Sequence, residues 1–161
     1  MMAAVRTILM GFIPLVLASL ALTQATTPPP AADKDPFVGT WQSNRGKSRP
    51  KLNKVDATYI RTISRDGDYV VSSGQYVDSK SRPATHNKIR CDGHPYSVPF
   101  GSISCRYTAA NIIDGETTSL TQETTYWTRE VSADGLEMKF YTYKNKNREK
   151  IKSIWVLDRV R

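Results

Sequence analysis

Hydrophobic and polar positions alternate along much of this chain with a period of two residues. In segment 136–143, Met138 and Phe140 fall on one face, opposite charged and phenolic side chains. Segment 151–159 places five alternate residues on one face: Ile151, Ser153, Trp155, Leu157 and Arg159. Alternation of this kind is typical of β-strands, and no segment has a convincing helical period. The pattern predicts eight to ten strands.

Turn signals separate the predicted strands. Four Asp-Gly dipeptides occur along the chain, and this dipeptide favours the tight turns that join antiparallel strands. They lie at 66–67, 92–93, 114–115 and 134–135. A meander of many strands must protect its edges, and closure into a barrel does so most completely. We therefore predict an all-β fold, an antiparallel up-and-down β-barrel of eight to ten strands, with a β-sandwich as the alternative.

The interior of such a barrel decides between two kinds of function. About eight strands enclose a space that is either filled by side chains or holds one small ligand. Three aromatic residues are the candidates for lining a ligand cavity: Trp127, Phe140 and Trp155. The same side chains can equally fill the core, since alternation does not say which face points inward.

Residues 1–25 have the features of a cleavable secretory signal peptide. Arg6 supplies a positive charge, residues 8–22 are mostly apolar, and Thr23-Gln24-Ala25 offers a small-x-small cleavage site. A membrane-spanning helix needs about 20 apolar residues, so no transmembrane span is expected in the mature protein. The expected localisation is secreted or periplasmic.

The exported part divides into a spacer and one domain. Residues 26–35 are rich in proline and alanine with nothing to bury, which predicts a flexible linker. The β-barrel domain is expected over 36–161. Its two cysteines, Cys91 and Cys105, form an even count in an oxidising compartment, which favours a disulfide. Two buried thiols in a reducing setting are the alternative.

No group of residues has the spacing of a catalytic or metal site. His86 and His94 lack the third ligand that a catalytic zinc needs, so we interpret them as surface turn residues. A Cys91–His94 pair would make a nucleophile only if Cys91 were a free thiol. No Gly-x-Ser-x-Gly sequence marks a serine nucleophile, and the carboxylates are scattered. We therefore expect a protein that is not an enzyme, without metal or cofactor.

The formal net charge is +8, and many basic residues are concentrated in two segments. These candidates for a basic surface are Arg45, Lys47, Arg49, Lys51, Lys54, Lys144, Lys146, Arg148 and Lys150. Such runs either contact anionic partners or remain solvated loops. In an exported protein nucleic acid is not expected, and an anionic surface of lipid headgroups or acidic polysaccharide is the better candidate.

The predicted domain opens with Asp-Pro-Phe-Val-Gly-Thr-Trp at 35–41. This opening resembles the first strand of the calycin superfamily, which includes the lipocalins and fatty-acid-binding proteins. The resemblance is closest to small secreted bacterial lipocalin-like proteins of unknown role. Three further segments resemble that group: 44–48, 92–96 and 131–135. The resemblance implies an up-and-down barrel plugged at one end by Trp41, with Arg159 across the indole ring, a contact that contributes about 0.5–2 kcal/mol.

The sequence departs from fatty-acid-binding proteins in two places. Those proteins carry a helical lid after the first strand, whereas segment 42–56 is polar, broken by proline and without an apolar stripe. They also hold the fatty-acid carboxylate with an Arg-x-Tyr pair on the last strand, where this chain has Trp155 and Leu157. The resemblance therefore implies the fold and not fatty-acid transport.

These observations favour a non-enzymatic, secreted or periplasmic binding protein that encloses a small, largely apolar ligand in its barrel. The alternative is an interaction module whose barrel is filled and whose basic loops contact an anionic partner. A hollow interior distinguishes the first function from the second.

Overall fold

The computed structural model describes residues 27–49, 58–77 and 84–161. The predicted signal peptide, Lys51 and Lys54 lie outside the described residues. Within those ranges the chain forms ten β-strands and a short 3-10 turn at Ala32–Lys34. The strands are β1 (Gly39–Ser43), β2 (Thr58–Asp66), β3 (Tyr69–Val77), β4 (Thr85–Arg90), β5 (Tyr96–Val98), β6 (Gly101–Ala109), β7 (Ile112–Ser119), β8 (Thr124–Val131), β9 (Glu137–Tyr143) and β10 (Ile151–Arg159).

The strands form one antiparallel sheet in the order β4-β3-β2-β1-β10-β9-β8-β7-β6-β5. Nearly all neighbours in space are neighbours in sequence, so the sheet is an up-and-down meander. β1 also pairs with β10, with Trp41 opposite Arg159, and this brings the two ends of the domain together. The sheet thus curls into a nearly closed barrel whose seam lies between β4 and β5. The predicted all-β, up-and-down barrel is confirmed.

A disulfide holds the two sides of the seam together. Cys91 follows β4, Cys105 lies on β6, and their Cα atoms are 4.4 Å apart. Next to it the Gly93 amide donates to the Cys105 carbonyl at 2.7 Å, and Asp92 forms an isolated bridge with Arg106. The predicted disulfide is confirmed. It links the two sides of the seam covalently, where β4 and β5 share no ladder hydrogen bonds.

The four Asp-Gly dipeptides have three different positions in the fold. The pairs 66–67 and 134–135 lie in the turns between consecutive strands, as predicted. The pair 92–93 lies at the seam, where the flanking strands are not paired with each other. The prediction of a turn at 114–115 is wrong, because both residues lie inside β7.

Packing explains the misplaced turn. A Cβ atom at Gly115 would collide with the indole of Trp127 and lie 2.7 Å from the backbone oxygen of Ser104. Glycine inside a strand often marks such a close approach. Gly115 is therefore needed for the fit of a tryptophan against the sheet and not for a positive backbone angle.

Alternate connections of a meander lie at opposite ends of the barrel. We call the end with the β2–β3, β6–β7 and β8–β9 turns the base, and it also holds the β4–β5 connection. The end where β3 meets β4, β5 meets β6, β7 meets β8 and β9 meets β10 is the mouth. This division separates the packed core from the site described below.

The base is packed shut around residues 35–41. Phe37 and Trp41 are fully buried, and Trp41 Nε1 donates to the Phe37 carbonyl at 2.9 Å. The Arg159 Cζ atom lies 4.2 Å from the centroid of the Trp41 ring. Arg159 also donates to three backbone carbonyls, those of Pro36, Val38 and Gly135, at 2.6, 2.7 and 2.6 Å. A Cβ atom at Gly39 would lie 2.5 Å from Arg159 Nη1, so this glycine leaves room for the guanidinium.

A buried polar network completes the base. The Asp35 carboxylate is buried and accepts hydrogen bonds from the Phe37 amide at 3.0 Å and the Tyr107 hydroxyl at 2.7 Å. Arg65 Nη1 lies 3.6 Å from the same carboxylate. Burial, and the hydrogen bond to Asp35, raise the pKa of Tyr107. The packed part of the chain therefore includes Asp35, one residue before the predicted domain start.

Candidate functional site

A cavity of about 400 Å³ lies inside the barrel between the packed base and the mouth. Its wall is mostly aromatic and aliphatic, with a few polar groups. The wall residues are Tyr59, Arg61, Gly74, Tyr76, Thr85, Asn87, Phe100, Arg129, Met138, Phe140, Trp155 and Leu157. A concave, largely apolar space of this size with a few polar groups is typical of small-molecule sites.

Arg129 brings an unpaired positive charge into this wall. Its Cζ atom lies 4.8 Å from the centroid of the Trp127 ring and 5.4 Å from that of Phe140. Among the described residues the guanidinium has neither a hydrogen-bond partner nor an ion-pair partner. Burial, and repulsion from Arg61, lower the pKa of Arg129 to about 9. The group is therefore protonated at neutral pH, without a described carboxylate to balance its charge.

Arg61 is a second guanidinium in the wall. Its Nε and Nη2 atoms donate to the Tyr59 hydroxyl at 3.2 and 2.7 Å, and Nη1 makes no hydrogen bond with a described residue. The Tyr59 ring packs on Tyr76 and Trp155, with centroids 4.9 and 6.1 Å away. A Cβ atom at Gly74 would collide with the Tyr59 hydroxyl. A glycine on β3 therefore makes room for the Tyr59–Arg61 pair.

The cavity reaches both the mouth and the seam. Thr85 and Asn87 of β4 belong to its wall, as does Phe100 of the β5–β6 turn, and these elements flank the seam. The Asn87 Oδ1 atom is buried without a hydrogen-bond partner among the described residues. A molecule in the cavity thus meets one unsatisfied acceptor on β4 and unsatisfied cationic donors on β2 and β8.

The three aromatic candidates for the cavity are placed differently. Phe140 and Trp155 belong to the wall. Trp127 is buried behind it and packs on Phe140, with ring centroids 5.8 Å apart. The Trp127 Nε1 atom donates to the Thr117 hydroxyl at 3.0 Å, so its polar edge is satisfied within the sheet. Trp127 supports Arg129 and Phe140, whereas Phe140 and Trp155 face the cavity.

The predicted basic surface falls into two separate places. Segment 44–49 runs along the outer wall beside β10. There Lys47 forms ion pairs with Glu137 and Asp158 at 2.7 and 3.3 Å, so its charge is balanced. Arg45 and Arg49 belong to the same segment. The other four described residues belong to the β9–β10 connection: Lys144, Lys146, Arg148 and Lys150. Lys144 and Lys150 lie at its two ends at the mouth, whereas Lys146 and Arg148 line a small outer-wall pocket with Gly93, Arg106 and Asp114.

Sequence reasoning missed Arg61 and Arg129, and strand parity is the signal that would have found them. Arg129 stands between Trp127 and Val131 at a spacing of two. An inward-facing tryptophan therefore brings the arginine to the same face. Arg61 has the same relation to the buried Ile63. A charged residue within an otherwise buried alternating face is the pattern to look for.

The residues weighed for catalysis are not brought together. Cys91 is held in the disulfide, so a Cys91–His94 thiolate nucleophile does not exist. Within the three described ranges, no group of three or more His, Cys, Asp or Glu side chains is placed to hold a metal ion. In the same part of the chain, no helix has the length and apolar character needed to cross a membrane.

Several solved structures share the architecture of this barrel. A REP1-NXSQ fatty acid transporter is 17% identical, with a TM-score of 0.57 over 81% of this chain and 98% of its own. A Schistosoma mansoni fatty acid binding protein in complex with arachidonic acid is 13% identical, with a TM-score of 0.59 over 80% and 98% of the two chains. Secretory abundant heat soluble protein 4 from Ramazzottius varieornatus is 9% identical, with a TM-score of 0.57 over 79% and 96%.

The comparison with protein-family models finds no match, and the comparison with curated proteins finds none either. At identities of 9% to 17%, the structural likeness speaks for the fold alone. The likeness agrees with the antiparallel, nearly closed meander of this chain. The chain therefore has the calycin-like β-barrel fold that the resemblance of residues 35–41 implies.

Proposed function

We propose that this protein is a non-enzymatic binding protein that encloses a small, largely apolar ligand carrying one anionic group. The anionic group would lie at Arg129. The observation that carries the proposal is the guanidinium of Arg129, unpaired among the described residues within an apolar cavity wall.

The charge of Arg129 argues for an anionic ligand. Placing a charge in a cavity wall without a partner costs free energy. The lowered pKa of Arg129 reflects this, because its surroundings disfavour the protonated form. A ligand carboxylate would balance the charge, and hydrogen bonds to charged groups contribute about 1.5–3 kcal/mol each. The planar guanidinium also suits two parallel hydrogen bonds to one carboxylate.

The rest of the wall argues for an apolar body. Tyr76, Phe140, Trp155 and Leu157 surround the space beside the two arginines. Burial of ligand surface there contributes about 25 cal/mol per Å². The volume of about 400 Å³ is near the lower end of common small-molecule sites, about 300–1,000 Å³, which favours a chain of medium length.

The structural comparisons support the ligand class. Two of the similar proteins are described as a fatty acid transporter and a fatty acid binding protein. This chain lacks the Arg-x-Tyr pair on the last strand, where Trp155 and Leu157 are apolar wall residues. The anionic group would instead be held from β8 by Arg129 and from β2 by Arg61.

The cavity weighs against the alternative of a filled barrel. Its wall includes residues from β2, β3, β4, β8, β9 and β10, so the space lies across the barrel interior and not in a surface groove. An interaction module with a packed core would have no need of two arginines in such a wall.

A matched set of straight-chain probes tests the proposal. Dodecanoate, dodecanol and dodecylammonium have the same apolar chain and differ in charge. We expect the acid to bind at least about tenfold more tightly than the alcohol, and the amine more weakly than both, by calorimetric titration. In Arg129→Met the acid should bind about 10- to 100-fold more weakly, while the alcohol keeps its affinity.

Arg161→Met is the control, because it removes an exposed arginine outside the cavity and should leave all three affinities unchanged. Equal affinities of the acid and the alcohol would contradict the role of Arg129. Failure of all three probes to bind, with the protein folded by circular dichroism, would contradict the enclosed-ligand function itself.

We infer further that the protein acts after export. The predicted signal peptide over 1–25 and the disulfide between Cys91 and Cys105 support this, since disulfides persist in oxidising compartments. The mass and first residue of the protein recovered from outside the cytoplasm test it. A mature chain beginning near Thr26 is expected, and an intact Met1 in the cytoplasmic fraction would contradict it.

A further inference from the structure

Exposed apolar side chains gather at the mouth of the barrel. Val77, Phe100, Leu120 and Ile151 are 52%, 39%, 73% and 51% exposed. Each lies at a strand end or turn of the mouth, on a different connection of the meander. The base exposes two such side chains, Leu136 in the β8–β9 turn and Val160 after β10, at 38% and 44%. Four apolar groups from four connections are thus presented on one end of the molecule.

These mouth residues are linked to each other and to the cavity. The Leu120 amide donates to the Phe100 carbonyl at 3.2 Å, so the β7–β8 and β5–β6 turns are held side by side. Phe100 also belongs to the cavity wall. The exposed apolar surface of the mouth therefore continues into the interior of the barrel.

Charge is distributed unequally between the two ends. The connections at the base carry four exposed aspartates: Asp66, Asp68, Asp92 and Asp134. Asp33, Lys34, Lys88 and Arg161 are exposed at the same end, where Lys88 pairs with Asp66 at 2.6 Å, so the base keeps a small excess of negative charge. At the mouth, the two ends of the β9–β10 connection and the start of β10 carry three exposed lysines: Lys144, Lys150 and Lys152. Lys146 is exposed as well, but it lies against the outer wall. Arg148 of that connection lies 3.8 Å from Asp114, and the exposed acids nearby are Glu123 and Glu149. A barrel with this polarity turns its mouth toward a negative surface.

Ile151 shows the two properties together. It is exposed between Lys150 and Lys152, which are exposed as well. An apolar side chain flanked by lysines suits the boundary of a bilayer, where the side chain enters the acyl region and the ammonium groups meet phosphates. An acidic polysaccharide would satisfy the lysines but offers no apolar region for Leu120, Phe100 or Ile151.

We propose that the mouth residues Val77, 98–101, 119–124, Lys144 and 150–152 dock on the surface of an anionic lipid bilayer. The apolar residues enter the interface, and Lys144, Lys150 and Lys152 bind the headgroups. The open end of the cavity then faces the membrane, so an apolar ligand could pass between bilayer and barrel without crossing water. This surface shares only Phe100 with the cavity wall and does not depend on which ligand the cavity takes.

Vesicle co-sedimentation tests the docking surface. The purified protein is mixed with vesicles of phosphatidylcholine alone or with an equal share of phosphatidylglycerol. We expect binding to the anionic vesicles, weakened by salt because the Debye length falls from about 10 Å at 0.1 M to about 3 Å at 1 M. Vesicles of phosphatidylcholine alone should bind much less protein. Each lysine near an anionic surface raises the partition coefficient roughly fivefold, and that contribution is absent on a neutral surface.

Two matched pairs of variants locate the surface. Lys150→Glu with Lys152→Glu at the mouth should lower partitioning to anionic vesicles roughly 25-fold or more. Lys34→Glu with Arg161→Glu at the base makes the same charge change and should not. Leu120→Ser should lower partitioning about fivefold to tenfold, whereas Leu136→Ser should leave it unchanged.

Equal losses in the mouth and base pairs would overturn the proposal, because attraction would then follow net charge alone. Binding to immobilised sulfated polysaccharide without binding to vesicles would overturn it in favour of a polysaccharide partner. The Arg129→Met protein should dock like the unmodified protein. Failure of the ligand proposal and failure of the docking proposal are therefore distinguishable.

Discussion

Two arginines in this barrel each lie over a tryptophan ring, yet their surroundings are opposite. Arg159 Cζ is 4.2 Å from the Trp41 centroid at the base, and Arg129 Cζ is 4.8 Å from the Trp127 centroid beside the cavity. Arg159 donates to three backbone carbonyls. Arg129 has no hydrogen bond within the described residues. The two arginines therefore make similar cation–π contacts, but the guanidinium of Arg159 is fully engaged in hydrogen bonds and that of Arg129 is not.

This difference separates structural from functional use of the same residue type. A buried polar group that is fully hydrogen-bonded rigidifies its surroundings, whereas an unpaired one costs stability. Natural proteins tend to depart from such local rules at functional sites. Under the proposed function the base is organised for stability and the cavity for binding, and we expect the two arginines to respond to substitution with opposite signs.

Substitution of each arginine by methionine gives the largest predicted effect. Arg159→Met leaves three carbonyls without their donor and should lower the free energy of unfolding by about 3–5 kcal/mol. Arg129→Met removes an unpaired, half-buried charge while keeping an apolar stem, and should raise the free energy of unfolding by up to about 1 kcal/mol. Urea denaturation monitored by circular dichroism measures both.

The contrast between the two arginines depends on whether Arg129→Met raises or lowers the free energy of unfolding. A loss of stability similar to that of Arg159→Met would mean that Arg129 also holds the fold together. Arg159→Lys keeps the charge without the three-way donor geometry, and it should fall between the unmodified protein and Arg159→Met.

The next effect concerns the close approach of Trp127 to the sheet. Gly115→Ala places a methyl group against the indole ring and the Ser104 carbonyl, and overpacking of this kind should lower the free energy of unfolding by about 1–3 kcal/mol. Gly46→Ala is the control, since the nearest neighbour of its new Cβ atom would be Asn44 Oδ1 at 3.5 Å. Similar unfolding midpoints for the two variants would show that the strand yields without cost.

The base was predictable from the sequence to a greater degree than the cavity. Alternation and turn chemistry predict a barrel, and residues 35–41 imply the Trp41–Arg159 contact by resemblance. The cavity depends on which face of each strand points inward, and period alone leaves that open. Gly115 was mistaken for a turn residue because Asp-Gly has two uses, and only the position of Trp127 across the sheet distinguishes them.

The polar network at the base predicts a smaller, pH-dependent effect. The pKa of Tyr107 is raised above the roughly 10 of a free phenol, so the folded state holds this proton more tightly than the unfolded state. Stability from this group is complete below about pH 10 and falls as pH rises above it, by up to about 1.4 kcal/mol per pH unit. Unfolding midpoints in urea should therefore stay level up to about pH 10 and decline from there to about pH 11.5.

Tyr107→Phe separates the hydrogen bond from the titration. It removes the 2.7 Å bond to Asp35 and should lower the free energy of unfolding at pH 7 by about 1–2 kcal/mol. Its stability should then decline less steeply above pH 10 than that of the unmodified protein. Parallel pH curves for the two proteins would exclude Tyr107 as the titrating group.

The smallest predicted effect sharpens the description of the cavity. Gly74→Ala places a methyl group against the Tyr59 hydroxyl and should move that side chain away from its position beside Arg61. Because the obstacle is the end of a side chain, stability should change by less than about 1 kcal/mol, while the affinity for dodecanoate falls severalfold. In a Tyr59→Phe background the obstructing oxygen is absent, so the same substitution should cost less affinity, and this non-additivity identifies the contact. Additive losses would place the effect of Gly74 elsewhere in the wall, where Thr85 Oγ1 would lie 3.1 Å from the new Cβ atom.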